Sequence, residues 1–187
     1  APVPEGAALI AETQSLKVWF PITAGLLRRT VGHVKAVNDA TLQIHAGETV
    51  GIVGESGSGK TTLALAIMRL ISSEGGIVYM CQDIRAWKVR ELRALRKDML
   101  IVFQDPYGSL SPRMTAEQSI AEGLTIHGIE AGRSQREVVA EVMSEVCLDP
   151  ATMDRYPHEF SGGQRQRIAI ARAMVLRPQL VVLDAPP

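Results

Sequence analysis

The sequence predicts an α/β layered fold with a helical insertion, and three observations carry that expectation. Strand-like apolar runs alternate with helical patterns at both ends of the chain. A block of helical segments lies between them. A glycine-rich turn joins the apolar run Glu48–Val53 (ETVGIV) to the helical run Lys60–Leu70, in which Leu63, Ile67 and Leu70 share one side.

The remaining elements follow in order. Ala1–Glu12, with its prolines and small residues, reads as a linker or leader. Ser15–Phe20 reads as a short strand, and Val34–Ile44 is β-prone, ending in a turn at Ala46-Gly47. Gly75-Gly76 breaks the first helix, and Ile77–Met80 follows as a strand. Val89–Lys97 is a basic helix whose arginines form a solvated face, because only Trp87 interleaves the charges with an aromatic. Met99–Phe103 is a buried strand, and Pro106–Pro112 a loop. Thr115–Thr125 and Ser134–Val146 are helices. The second buries Val138, Val139, Val142, Met143 and Val146 and turns Glu137, Glu141 and Glu145 to solvent. Ser161 caps a helix over Gly162–Val175, Pro178 closes it, and Leu180–Leu183 is a final buried strand.

Composition excludes several classes. The chain has 187 residues, 46% of them hydrophobic, so it can bury a core and is not disordered in bulk. Twenty basic and twenty acidic side chains balance to a net charge of +0, which argues against a general nucleic-acid binder. No apolar run approaches the roughly 18 residues of a membrane span. Cys81 and Cys147 stand far apart, in no metal-ligand spacing, which suits a reducing compartment and excludes a disulfide scaffold.

Gly54-Glu55-Ser56-Gly57-Ser58-Gly59-Lys60-Thr61 fits G-x-x-x-x-G-K-[ST] at every fixed position. Glycines let consecutive backbone N–H groups turn toward a phosphate. The following helix aims its positive end at the same anion. Lys60 places a charge on the β- and γ-phosphates, and Thr61 offers a hydroxyl to Mg²⁺. The alternative is a glycine-rich turn followed by a lysine. The loop by itself indicates a P-loop nucleotide binder without saying which machine it serves.

Phe160-Ser161-Gly162-Gly163-Gln164 places two glycines behind a capping serine, exposing backbone donors and a hydroxyl to an anion. Arg165, Arg167, Arg172 and Arg177 follow with no acid before Pro178, so an ordinary capped helix with a basic face remains open. Leu180–Leu183 ends in Asp184, the form of a strand that holds Mg²⁺ near the phosphate loop. Gln104 follows the strand Met99–Phe103, at the strand end where α/β sheets bind ligands.

The order of these four elements, at 54–61, 104, 161–164 and 180–184, resembles the ATPase subunit of ABC transporters over about residues 15–185. The text Val102–Arg113 and Arg155–Phe160 resembles oligopeptide, dipeptide and microcin C importers. In the fused members a proline-rich linker precedes the second ATPase half. The resemblance implies a P-loop NTPase fold with an antiparallel β subdomain and a helical subdomain at about 107–160. On that reading, residues 1–12 are the linker and 13–187 a nucleotide-binding domain that stops after the Walker B strand.

For the site, the resemblance implies ATP contacts at Gly54, Glu55, Ser56, Gly57, Ser58, Gly59, Lys60, Thr61 and Thr62. It implies contacts in trans from Ser161, Gly162, Gly163 and Gln164 of a second, head-to-tail ATPase domain. It places Mg²⁺ at Thr61, Gln104 and Asp184, and makes Gln104 and Asp184 the catalytic residues present. An aromatic before the first long strand stacks on adenine, Phe20 first and Trp19 second, each with the alternative of a core or edge aromatic. Further partners are transmembrane permease subunits and, indirectly, a substrate-binding protein, with no nucleic acid. The location implied is the cytoplasmic face of a bacterial inner membrane.

The sequence departs from that family's pattern. Its catalytic glutamate position is Ala185, followed by Pro186-Pro187. His33, His45, His127 and His158 all precede the Walker B strand, so none is the family's switch histidine. Cys81 and Cys147 stand where glycine is expected, in a turn and after a helix. Three functions are therefore in view: an energy-coupling ATPase of a peptide importer, a nucleotide-dependent dimerisation module without turnover, and a soluble ABC-type ATPase of DNA repair or translation. The third would be expected to carry a coiled coil or extra domains and leaves the importer-like text at 102–113 unexplained.

Overall fold

The computed structural model describes residues 6–25, 29–103, 106–129, 132 and 134–184. The chain folds as two compact units, Ala1–Ala94 and Leu95–Pro186.

The first unit is built on a four-stranded antiparallel sheet of order β2-β1-β3-β4. β1 (Leu9–Ala24) and β2 (Arg29–His45) form a long hairpin. Next come α1 (Lys60–Ile67), β3 (Glu74–Tyr79), β4 (Gln82–Asp83) and α2 (Val89–Leu95). Ile10, Ala11, Leu16 and Val18 of β1 are buried, as are Ile77 and Tyr79 of β3. β1 thus begins at Leu9, inside the stretch whose composition reads as a linker. Two apolar residues, Ile10 and Ala11, recruit that stretch into the sheet, and Ala11 pairs with both Ile44 and Tyr79.

Gly75 and Gly76 lie inside β3 and do not end the helix. α1 ends instead in left-handed Arg69, whose N–H donates to Ala66, while the Leu70 N–H donates to Leu65. Gly75 is required where it stands. Its φ is +97°, and a Cβ there would sit 2.5 Å from the Ser15 carbonyl oxygen, where β1 crosses with an irregular register.

Glu48–Val53 is not a strand. No strand among the described residues pairs with it, so its backbone has no ladder, and Val53 is 96% exposed.

The second unit combines a helical core with two parallel strands. β5 (Met99–Val102) precedes α3 (Pro106–Ser109), a short helix inside the segment expected to be loop. α4 (Ala116–His127), α5 (Gln135–Glu145) and α6 (Gly162–Met174) follow, and then β6 (Leu180–Leu183). Thr115, Ser134 and Ser161 each cap a helix in a reciprocal box with Gln118, Glu137 and Gln164. Ile120, Leu124, Val139, Val142, Met143 and Ile168 interlock α4, α5 and α6 in one apolar cluster. β5 and β6 pair in register, Met99 with Leu180 through Val102 with Leu183.

The acidic face of α5 is exposed, as its spacing predicts, and it is also paired. Glu137 closes the capping box, and Glu141 and Glu145 both accept from the Arg177 guanidinium, at 3.3 Å and 2.6 Å. That guanidinium holds the Glu145 carboxyl below the usual carboxylate range. A second cluster joins α4 to α5, where Arg136 donates to Glu117 and forks onto Asp154. The Asp154 carboxyl is lowered by that hydrogen-bonded arginine.

Both cysteines occupy left-handed backbone, φ +62° at Cys81 and +58° at Cys147. Cys147 ends α5: its N–H donates to Ser144, and the next N–H, of Leu148, donates to Met143. Glycine is favoured there because a side chain crowds the following carbonyl. Cys147→Gly is expected to stabilise the second unit by about 1 kcal/mol, read as a higher urea midpoint. An unchanged or lower midpoint would show that the cysteine is not strained.

Candidate functional site

The first unit carries the phosphate loop. A compact turn closes it, the Ser58 N–H donating to the Glu55 carbonyl at 3.2 Å. Gly57 and Gly59 have φ of +79° and +91°. Gly59 caps α1, and its carbonyl accepts the first helical bond from Leu63 at 2.8 Å. A Cβ on Gly59 would lie 2.1 Å from the Ala36 carbonyl oxygen and 3.7 Å from Val37 Cγ2.

That contact has a cause in the hairpin. Val18 pairs with Val37, but Trp19 pairs with Lys35, so Ala36 bulges out of the ladder. The exposed carbonyl of the bulge meets the start of α1. Ala36 carries no chemistry legible in a sequence, since its role lies in its backbone alone.

Lys60 folds back across the loop. Its ammonium donates to the carbonyls of Gly54 at 2.8 Å and Glu55 at 2.7 Å, with Ser58 Oγ at 3.5 Å. These contacts hold a cation inside a ring of glycine-rich backbone at a helix N-terminus. That donor set fits a polyphosphate. The helix after the loop is as expected. The strand before it is not formed, as described for Glu48–Val53. Thr61 and Thr62 lie in the first turn of α1. Among the described residues no group of three or more His, Cys, Asp or Glu could hold a metal ion. Thr61 would offer one hydroxyl to a Mg²⁺ brought with a polyphosphate.

The two candidate aromatics lie on opposite sides of β1. Strand alternation puts Phe20 on the side of Val18, whose partner Val37 reaches the phosphate-loop glycine. Trp19 meets Lys35, whose Nζ lies 4.6 Å from its ring centroid, and His33, with centroids 6.1 Å apart. Phe20 is 45% exposed.

The second unit carries the other elements, two of which lie among the described residues. Ser161, Gly163 and Gln164 are exposed at the start of α6, and Gly162 is half-buried. The Gln164 N–H donates to Ser161 Oγ at 3.4 Å, and the Ser161 N–H donates to Gln164 Oε1 at 2.9 Å. The basic residues behind them have structural work. Arg165 donates to the Phe160 carbonyl, Arg167 to Cys147 and Arg172 to Ser109, while Arg177 bridges to α5. The basic face is thus a set of tethers. Asp184 follows β6, and its N–H donates to the Val102 carbonyl at 2.9 Å, beyond the carboxyl ends of both strands. Gln104 and Ala185, with Pro186 and Pro187, lie outside the described residues.

Residues 37–187 match the ABC transporter family, including both glycine-rich elements and β6. The chain belongs to the ABC transporter family. It is 56% identical over 179 residues to the peptidoglycan transport ATP-binding protein YejF of Agrobacterium fabrum, covering 95% of this chain and 33% of that protein. It is 46% identical to the oligopeptide transport ATP-binding protein AppF of Bacillus subtilis, covering 95% of this chain and 54% of that one. The chain thus spans about a third to a half of these relatives' lengths. Among solved structures it resembles the dimeric ATP-binding cassette MJ0796 bound to ADP and Pi. The TM-score is 0.80 at 27% identity, covering 93% of this chain and 73% of that one. The α/β fold is therefore that of an ABC ATPase cassette, with an antiparallel sheet and a helical block. No helix among the described residues is long and apolar enough to cross a membrane.

Proposed function

We propose that this chain is the ATP-binding, energy-coupling domain of a bacterial importer for peptides or peptide-like compounds. The observation that carries the nucleotide reading is the Lys60 ammonium held inside the glycine loop at the N-terminus of α1. The importer reading rests on the names of the relatives, which concern peptidoglycan and oligopeptide transport.

On this reading Gly54–Thr62 wraps the phosphates and Lys60 turns from the loop carbonyls to the β- and γ-phosphates. Phe20, on the phosphate-loop side of β1, takes the base in preference to Trp19. Mg²⁺, brought with ATP, neutralises phosphate charge. Thr61, Gln104 and Asp184 are its protein contacts, direct or through water. Ser161, Gly162, Gly163 and Gln164 present a second helix N-terminus to the γ-phosphate bound by another ATPase domain. Permease subunits dock at the glutamine loop and the helical segment 107–146, and a substrate-binding protein delivers cargo to them. The domain works at the cytoplasmic face of the membrane. Ala185, in the position of the family's catalytic glutamate, makes ATP binding outlast hydrolysis in this chain.

Gly163 provides the test. Nothing lies within 4 Å of a Cβ built there, and an acid in the first turn of a helix suits its dipole. Gly163→Asp should therefore fold normally. Its carboxylate would repel a γ-phosphate presented in trans. ATP with Mg²⁺ is expected to drive association of the unmodified chain in sedimentation velocity, and Gly163→Asp to abolish it while leaving nucleotide binding intact. ATP-driven association that survives the substitution would remove the signature from the nucleotide site.

A further inference from the structure

α6 carries the signature at its start and holds a second segment along its side. Val102, at the end of β5, clusters with Ala169 and Ala173 of α6. Leu110, the residue after α3, belongs to the apolar cluster that contains Ile168, Ala171 and Val175 of the same helix. The chain is therefore packed on α6 both before and after α3. Apolar contacts of this kind are non-directional, so they leave the orientation of α3 open.

Arg172 supplies the direction. Its Nη1 donates to the Ser109 carbonyl at 2.6 Å, joining residues 63 apart in the chain. Ser109 ends α3, whose last carbonyls have no partner within so short a helix. Arg136 and Arg177 pair with carboxylates, whereas the half-buried Arg172 gives its charge to this carbonyl. Charge-assisted bonds are short and strong, and they fix geometry as well as distance. Ser161, which caps α6, and Arg172 stand on one unbroken helix, about 16 Å apart along its axis.

We infer that Arg172 is a positioning residue that locks α3 to α6, so that capture of a γ-phosphate at residues 161–164 is transmitted to the segment around Ser109. A rigid helix can carry such coupling only where both sites are fixed to it. Arg172 meets no nucleotide and acts through the Ser109 carbonyl alone. The inference rests on the proposed capture in trans and deepens it. α3 begins two residues after Gln104 and overlaps the stretch 107–146 proposed to meet permease subunits. The nucleotide held by one ATPase domain would thus be sensed at the docking segment of the other.

Amide hydrogen exchange of the full chain, with and without Mg-ATP, tests this at two places. In the unmodified chain Mg-ATP is expected to slow exchange at residues 161–165 and, about 5-fold or more, at 108–111. Arg172→Gln should keep the slowing at 161–165 and bring the ratio at 108–111 to about one. Arg172→Lys, which keeps a charged donor, should retain part of that ratio. Gly163→Asp, which leaves Arg172 in place, should lose both effects. A merely structural tether would speed exchange at 108–111 equally with and without nucleotide, so an unchanged ratio in Arg172→Gln would overturn the inference. So would no recovery with lysine, or slowing at 108–111 that survives Gly163→Asp and therefore comes from nucleotide in the same domain. An unchanged thermal transition confirms the fold of each variant. The unmodified chain keeps the inference falsifiable without them: slowing at 161–165 with none at 108–111 would overturn it alone. No slowing at 161–165 would overturn the capture in trans, and the inference with it.

Discussion

Gly59→Ala is expected to cost about 2–5 kcal/mol of folding stability in the first unit, and to abolish measurable ATP binding. Two penalties add. An alanine at φ +91° pays about 1–2 kcal/mol for left-handed backbone. Its Cβ would also sit 2.1 Å from the Ala36 carbonyl oxygen, a backbone atom that no rotamer change can clear. Relief requires α1 to move away from the bulge, and overpacking of this kind costs about 1–3 kcal/mol. The movement also shifts Lys60, the next residue. Gly57 is the matched control. It has positive φ but nothing within 4 Å of its Cβ position, so Gly57→Ala pays only the backbone term. Urea unfolding followed by nucleotide titration compares the two. Equal losses at 57 and 59 would mean that the contact with Ala36 does not seat the loop.

The second large effect concerns turnover. A carboxylate that positions or deprotonates the attacking water is worth on the order of 10²–10⁴ in rate. Ala185 has no acceptor on its side chain, and Asp184 is committed to the metal on the reading proposed above. Ala185→Glu is therefore expected to raise phosphate release at saturating Mg-ATP by a factor within that range, with nucleotide affinity little changed. On the same reading affinity is set by residues 54–62 and 161–164, which the substitution does not touch. Equal rates before and after would place the catalytic carboxylate elsewhere in the chain.

The helical block was the most legible part of the fold. Thr115, Ser134 and Ser161 announce their helices through capping chemistry that is local in sequence. The buried positions of α5 follow from 3.6-residue spacing. The strands were harder, because a strand is decided by a partner elsewhere. Glu48–Val53 has the composition of a strand but pairs with none among the described residues. Leu9–Glu12 has the composition of a linker but lies against β2 and β3. Gly75 has the composition of a breaker, and its close approach to the Ser15 carbonyl is a tertiary fact. At the site, the loop from Gly54 to Thr61 was legible since its glycines and lysine are themselves the chemistry. The Ala36 bulge left no trace in side-chain identity. The tethers made by Arg165, Arg167 and Arg172 go to backbone carbonyls, which no sequence pattern marks.

The central claim is that Lys60 and its loop bind nucleoside triphosphate, and calorimetric titration of ATP into the chain and into Lys60→Ala tests it most directly. The ammonium exchanges two carbonyl partners for phosphate oxygens, and charge-assisted bonds of that kind contribute about 1.5–3 kcal/mol each. Lys60 lies in the first turn of a surface helix, where alanine preserves helicity, so the variant should remain folded. The account predicts saturable binding by the chain and a loss of affinity on the order of 10–100-fold in Lys60→Ala. Equal affinity in the two proteins, or no binding by either while both are folded, would contradict it.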